Sequence, residues 1–330
     1  MIYENHFIDI GSQYGPHEIF KHFPGDNLIV MIDANDVVVK NSKRNYKYVN
    51  KLLMDKTDST YNFKTRMNEG LSSIYDIQEN SPFATLYDKN LLIDKVTKSL
   101  KSSTLDFEMK KLDIKPNFIK IDTEGSEDSI IAGSLNSLEQ CWGMMIEVSF
   151  NSLYSGKGSN AHLIETVKKL DFNFINFYQG VKRIPQHILV NPVNYDEKID
   201  DFGIVTSVDA IFLKNFENLN WEDSYIHKVS HLNFCFNNKL VDLGLKNLEV
   251  LISQGGSLPY SITLLENSDF SEIAWSTLLQ IYRYLGKFRF SKKDPRFDVA
   301  DNLVKSLFGI NLLSGKDYWD FYTKIENKNF

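Results

Sequence analysis

Four carboxylates and two glycines crowd the stretch KIDTEGSEDSIIAG, residues 120 to 133, between an apolar strand-like run and a helical pattern. Acids in the first turn of a helix complement its free N–H groups and dipole, which accounts for Glu127 and Asp128. Asp122 and Glu124 lie on or next to the strand end, where a cluster of negative charge suits a bound cation.

Two other strand ends carry related chemistry. The first strand runs into DIGSQYG, placing Asp9, Gly11, Ser12 and Gly15 on a strand-to-helix turn where glycine permits tight bending and close backbone approach to a ligand. A dinucleotide fingerprint beginning at Gly11 would need glycine where Gln13 and Pro16 stand, so a nicotinamide cofactor and an oxidoreductase are disfavoured. The D-x-G-x-x-x-G form suits a nucleoside with an amino-acid tail. The second strand ends LIVMIDAND, bringing Asp33 and Ala34 to the edge where ribose hydroxyls donate to an acid; Asp36 is placed to cap the next helix. Asp55, after the third strand, joins the candidate binding residues. S-adenosylmethionine, with its sulfonium and ammonium, is a ligand that such an acidic edge would attract and that a phosphate ligand's site would not resemble.

The elements that must position these residues alternate. Strands are expected at about 7–10, 28–33, 48–54, 117–122, 143–149, 172–178 and 208–213, and helices at about Ser126–Leu138 and Asn160–Leu170. That alternation implies a parallel α/β sheet. Residues 56 to 103 are polar and irregular, with TYNFK and SSIYD suggesting a hairpin. After Asn215 the pattern turns helical, at Trp221–Leu232, Leu240–Ser253, Phe270–Leu285, Ala300–Phe308 and Tyr318–Ile325, so the chain divides at 1–215 and 216–330. The tail is assigned a packing, lid or homodimerisation role.

The composition, 42% hydrophobic and 13% aromatic, is that of a globular chain, and a net charge of −6 offers no overall polycation for nucleic acid. The basic run VKNSKRNYK reads as a solvated surface. No apolar run spans a membrane and the N-terminus lacks the design of a signal peptide; with two cysteines, Cys141 and Cys235, at no metal-ligand spacing, a cytoplasmic, reducing location is expected.

Residues 104–133, TLDFEMKKLDIKPNFIKIDTEGSEDSIIAG, resemble the FkbM family of S-adenosylmethionine-dependent methyltransferases, whose hallmark is a strand ending K-I-D-x-E-G followed by an acid and an aliphatic-Gly pattern. FIDIGSQYG is similar to its glycine motif, IDA at 32–34 to its acidic ribose motif, LSS at 71–73 to its small serine motif, and VDAIFLK to its last strand. The resemblance covers about residues 7–215, with Ser12-Gln13 where the family usually has Ala-Asn and Ile32-Asp33-Ala34 where it has Phe-Glu-Pro. It implies a Rossmann-like seven-stranded methyltransferase sheet, last strand antiparallel, followed by a C-terminal helical region.

As implied, the reaction is methylation of a hydroxyl on a sugar, glycan or other small molecule. Asp122, Glu124 and Glu147, the last at the end of the fifth strand, are the carboxylates available as base; His162 and His187 are the histidine alternatives. Asp122 with Glu147 offers oxygens that suit a divalent metal, but no third ligand is assured and no metal is assigned. IDTEG replaces the Asn- or Asp-Pro-Pro-aromatic pattern of amino methylation, and Cys141 stands on the far approach to its strand, away from any cytosine chemistry. The competing reading is a catalytically inactive nucleoside-binding interaction module of the same fold. Short as the N-terminus is, the lid is expected from the 56–103 insert, the 179–207 loop or the tail.

Overall fold

The computed structural model describes residues 5–22, 27–36, 45–81, 84, 89–156, 160–184, 204–217, 219, 225–238, 240, 242–244, 246, 247 and 250. The chain divides into two compact units, one of residues 1–20 with 27–219 and one of residues 21–26 with 220–330. In the first unit a seven-stranded sheet is built from β1 (Asn5–Ile10), β2 (Asn27–Asp33), β3 (Tyr46–Asn50), β7 (Phe118–Ile121), β8 (Gly143–Ser149), β9 (Phe172–Ile184) and β10 (Ile204–Lys214). Their order is β3-β2-β1-β7-β8-β10-β9, with β10 antiparallel to both neighbours and the other pairings parallel. Six of the expected strands are present as expected, while the one expected at 48–54 is divided between β3 and Leu52–Leu53, which pair in different sheets. A smaller sheet, β4 (Leu52–Leu53), β6 (Asp94–Ser103) and β5 (Thr60–Arg66) in that order, comes from the insert.

Pleating sorts the large sheet into an apolar and a charged face, because residues two apart share a side and registered partners match. Asp9 is registered with Met31 and Lys120, Lys120 with Met145, and Glu147 with Asp209. Asp33 and Asp122 follow two residues after Met31 and Lys120, so six charged side chains emerge on one side toward the carboxyl ends. The alternate residues, Ile8, Ile10, Val30, Ile32, Ile119, Ile121, Met144 and Ile146, form the core. Against it pack α1 (Leu105–Leu112), α2 (Glu127–Ala132), α3 (Leu135–Gln140) and α4 (Asn160–Lys169), through Leu105, Met109, Ile130, Leu138, Leu163 and Val167.

Several expectations need correction. The helix expected over 126–138 is broken into α2 and α3, because a Cβ at Gly133 would collide with the Met54 carbonyl and the chain turns there. Asp106 of α1 then caps α3 from outside, its carboxylate accepting the Asn136 N–H at 3.0 Å and the Ser137 N–H at 2.7 Å. SSIYD makes no strand; Ser73 forms an isolated bridge to Lys64, and the antiparallel partner of β5 is β6. The supposed 179–207 loop is partly strand, since β9 runs to Ile184 and β10 starts at Ile204.

In the second unit α5 spans Tyr225–Asn237, running past the expected end at Leu232, and Asp242–Gly244 is helical. The helices expected beyond residue 250 lie outside the described residues. Among the described residues no helix is long and apolar enough to cross a membrane.

Candidate functional site

At the carboxyl ends of β1, β2 and β7 lies an open cleft. Gly11, Gln13, Tyr14, Asp33, Ala34, Asp122 and Glu124 line it from the strand ends. Phe63, Glu69, Ser72, Ser73 and Ile74 line it from the insert, so the 56–103 segment supplies one wall. Gln13 and Glu69 join the two sides, the amide donating to the carboxylate at 2.8 Å while Lys95 holds the other oxygen at 3.0 Å. Among the described residues, the insert is the expected lid source that lines the cleft.

The glycine turn is set by backbone geometry. Gly11 has φ +83° and Gly15 φ +113°, both in the region that favours glycine. Ser12 is buried, its hydroxyl donating to the Asp9 carbonyl at 3.0 Å; neither Ser12 nor Gly15 lines the cleft, so they hold the turn that does. Asp33 accepts the Asn35 N–H at 2.7 Å. Burial pushes its carboxyl up to about 6, with the N–H groups of Asn35 and Gln13 and the Lys120 charge pulling the other way and Asp9 adding to the rise. Ala34 packs with Leu52, Phe63 and Ile74 into an apolar patch beside it. Asp55 is not part of this wall; it lies half-buried beside Lys56.

The loop after β7 is folded by Glu127. Its fully buried carboxylate accepts the N–H groups of Thr123 at 3.0 Å and Gly125 at 3.1 Å and the Thr123 hydroxyl at 3.1 Å. Glu127 therefore ties down the loop, a role beyond the helix-dipole complement expected of it. Glu124 is thereby held at φ +57°, and its carbonyl accepts from the Ser73 hydroxyl at 2.8 Å. Oxygens of Asp122, Glu124 and Glu147 lie within 4.8 Å of one another. Glu124 is thus the third carboxylate beside Asp122 and Glu147, a spacing that a cation could span; an acidic cluster alone does not establish a metal centre, and none is assigned.

Burial first, then the charges of Glu147 and Asp122, hold the Glu124 carboxyl well above the usual carboxylate range, while a hydrogen bond from Tyr154 pulls it back. Tyr154 is itself buried against the Arg66 guanidinium, 5.4 Å from the ring centre, and its hydroxyl reaches the Leu71 carbonyl at 2.9 Å.

Beneath the cleft, Asp9 does not meet its surface. Its carboxylate is fully buried, takes the His17 N–H at 2.7 Å and lies 3.5 Å from the Lys120 ammonium, which also stands 3.4 Å from Asp122. Burial works to lower the Lys120 pKa, but Asp122, Asp9 and Asp209 outweigh it and the ammonium is held above its ordinary value. Sequence reasoning missed Lys120, His17 and Asp209 as partners. The signal available was parity, since Lys120 sits two residues before Asp122 on a strand otherwise apolar.

His162 does not join the site. It is exposed on α4, whose Leu163 and Val167 pack on the apolar face, opposite the side from which Glu147 emerges. His187 lies outside the described residues.

Residues 33–174, from the tip of β2 to the start of β9, match the family model described as the Methyltransferase FkbM domain. No curated protein and no solved structure matches the chain.

Proposed function

We propose, taking the methyltransferase domain as premise, that this protein uses S-adenosylmethionine to methylate a hydroxyl of a small molecule, with a sugar or glycan as the acceptor class. The carrying observation is the convergence of Asp33, the Gly11 turn, Asp122 and Glu124 on one cleft at the sheet edge, with a Glu147 oxygen within 4.8 Å of those of the last two. Asp33 has the position of a ribose acceptor, and the apolar patch of Ala34, Leu52, Phe63 and Ile74 suits the face of a purine. The backbone around Gly11 and Gln13 suits the amino-acid tail. When bound, the cofactor supplies an electrophilic methyl on a sulfonium.

The residues of the chain then do three things. Asp122, Glu124 and Glu147 surround the sulfonium end with negative charge. The insert wall keeps water from it. Glu124 would take the proton released by the acceptor hydroxyl, ending as a protonated carboxyl. Among the three acids Glu124 fits this best: Asp122 is paired with Lys120, whereas the Glu124 carboxyl is raised above the usual carboxylate range, which makes it the stronger base once ionised. In-line alignment of acceptor and methyl supplies much of the rate.

Two buried free cysteines are in keeping with a reducing cytoplasm. The second unit is assigned packing or homodimer contact, which sedimentation at micromolar concentration tests. Mass spectrometry of the purified protein for co-purified S-adenosylmethionine or its demethylated product, followed by a screen of sugar acceptors, tests the main reading. Failure to bind either nucleoside would overturn it, and binding without turnover on any hydroxylated acceptor would favour an inactive binding module.

A further inference from the structure

Lys120 is the buried cation of a site otherwise made of carboxylates. Its side chain is only 5% exposed, between Asp9 at 3.5 Å and Asp122 at 3.4 Å. Asp209 faces it from β10, and His17 shares the same neighbourhood from the segment after β1. Beyond Asp122 stand Glu124 and Glu147. Asp122 lines the cleft; Asp9 and Lys120 do not. Whatever those two exert on a bound ligand they exert as charges acting through Asp122 or from beneath it.

On the reading of the cleft as a methyl-donor site, its two successive occupants differ by one positive charge. The donor is a sulfonium and the spent product a neutral thioether. Contacts to the shared nucleoside and amino acid act on both alike, so the electrostatic potential at sulfur is what separates their affinities. We propose that Lys120, wedged between Asp9 and Asp122, sets the discrimination between methyl donor and demethylated product by offsetting the negative potential of the carboxyl edge.

The offset has a catalytic sense. The sulfonium charge disperses as the methyl leaves, so an unbalanced acidic cradle stabilises the ground state more than the transition state and slows transfer. An ammonium behind Asp122 limits that excess while holding the carboxylate in place. The Lys120 backbone is fixed by β7 pairing on both sides, with β1 and β8, and its side chain is buried between the two acids.

The test is calorimetric binding of S-adenosylmethionine and of S-adenosylhomocysteine at pH 8, in wild type, Lys120→Met, Lys120→Arg and Asp9→Asn. Lys120→Met should raise the preference for donor over product roughly tenfold, a size expected for one charge at moderate effective dielectric. Lys120→Arg should leave the preference unchanged. Asp9→Asn, which still accepts the His17 N–H, should lower it by roughly the same factor, because it removes a negative charge from behind the lysine. A purely structural role would weaken both ligands together and leave the ratio alone. Ratios that stay constant in Lys120→Met and Asp9→Asn while both ligands bind overturn the inference and leave the methyltransferase reading intact. A folded wild type that binds neither ligand overturns both. Should Lys120→Met fail to fold, Asp9→Asn decides the matter with its opposite sign.

Discussion

The carbonyl oxygen of Asp122 stands where a side chain on Gly11 would have to begin. The Asp122 N–H in turn donates to the Ile10 carbonyl at 3.1 Å, so the end of β7 is drawn against the glycine turn after β1. Gly11 is therefore required by chain packing before any ligand is considered. Gly11→Ala should destabilise the unit by about 2–4 kcal/mol, through collision and positive φ together. Gly15→Ala, with nothing within 4 Å, should cost only about 1–2 kcal/mol from φ +113°. Denaturant unfolding of both variants checks the contrast.

Glu124→Gln is isosteric with the protonated carboxyl that the buried cluster favours. It should leave thermal stability unchanged or raised, yet reduce turnover at least about 100-fold by removing the base. The base works only when ionised. In wild type the rate should therefore fall as pH drops through the raised Glu124 value, and the residual rate of Glu124→Gln should lack that limb. A pH–rate profile once an acceptor is found makes the comparison.

Asp33 gives a pH signature in stability. Its folded value of about 6 lies above the ordinary 3.8, so ionising it costs more in the native state than in the unfolded chain. Its contribution to stability is full below the ordinary value and is lost as pH rises through the folded one. The melting temperature of Asp33→Asn should gain on that of wild type between about pH 4 and pH 7. Donor affinity should meanwhile fall about tenfold through loss of the ribose acceptor. Thermal scans across pH and a binding titration measure the two effects.

Arg66 anchors the insert from within. It donates to the Leu71 carbonyl at 2.7 Å and to the Tyr75 carbonyl at 2.6 Å, and its Nε lies 3.6 Å from Asp94. Arg66→Met should cost about 1–3 kcal/mol by stranding the Tyr75 carbonyl and taking a donor from that of Leu71, which keeps the Tyr154 hydroxyl, with Arg66→Lys recovering part. Urea unfolding of the two variants gives the difference.

Both cysteines should be silent in the native protein. Cys141 and Cys235 are buried, and burial raises both thiols well above their ordinary range. Reaction with a disulfide reagent should label neither thiol before denaturation and both after it.

The seven large strands were legible because each is a short apolar run at a turn signal, and the K-I-D-x-E-G run fixed which strand delivers Asp122. Position at the ends of strands also told that Asp33, Asp122 and Glu147 reach one edge. The break at Gly133 was not legible, since it arises from the approach of Met54, which lies in another element. Nor was the inward pairing of Asp9: an acid beside a glycine motif reads the same in sequence whether it faces a ligand or a buried lysine. His162 misled because helical position alone does not say which face of the sheet the helix covers. SSIYD and β6 were misjudged because β6, KVTKSLK at its centre, is exposed and carries no apolar alternation.

The pairings that bring Asp33, Asp122 and Glu147 together are all non-local: β1 on β2, β1 on β7, β7 on β8. No hairpin or single helix carries a fragment of the cleft that could persist alone. Occupancy of the cleft should consequently register as slowed amide exchange in the four central strands at once, well away from any atom the ligand touches, and its loss should release them as one cooperative block.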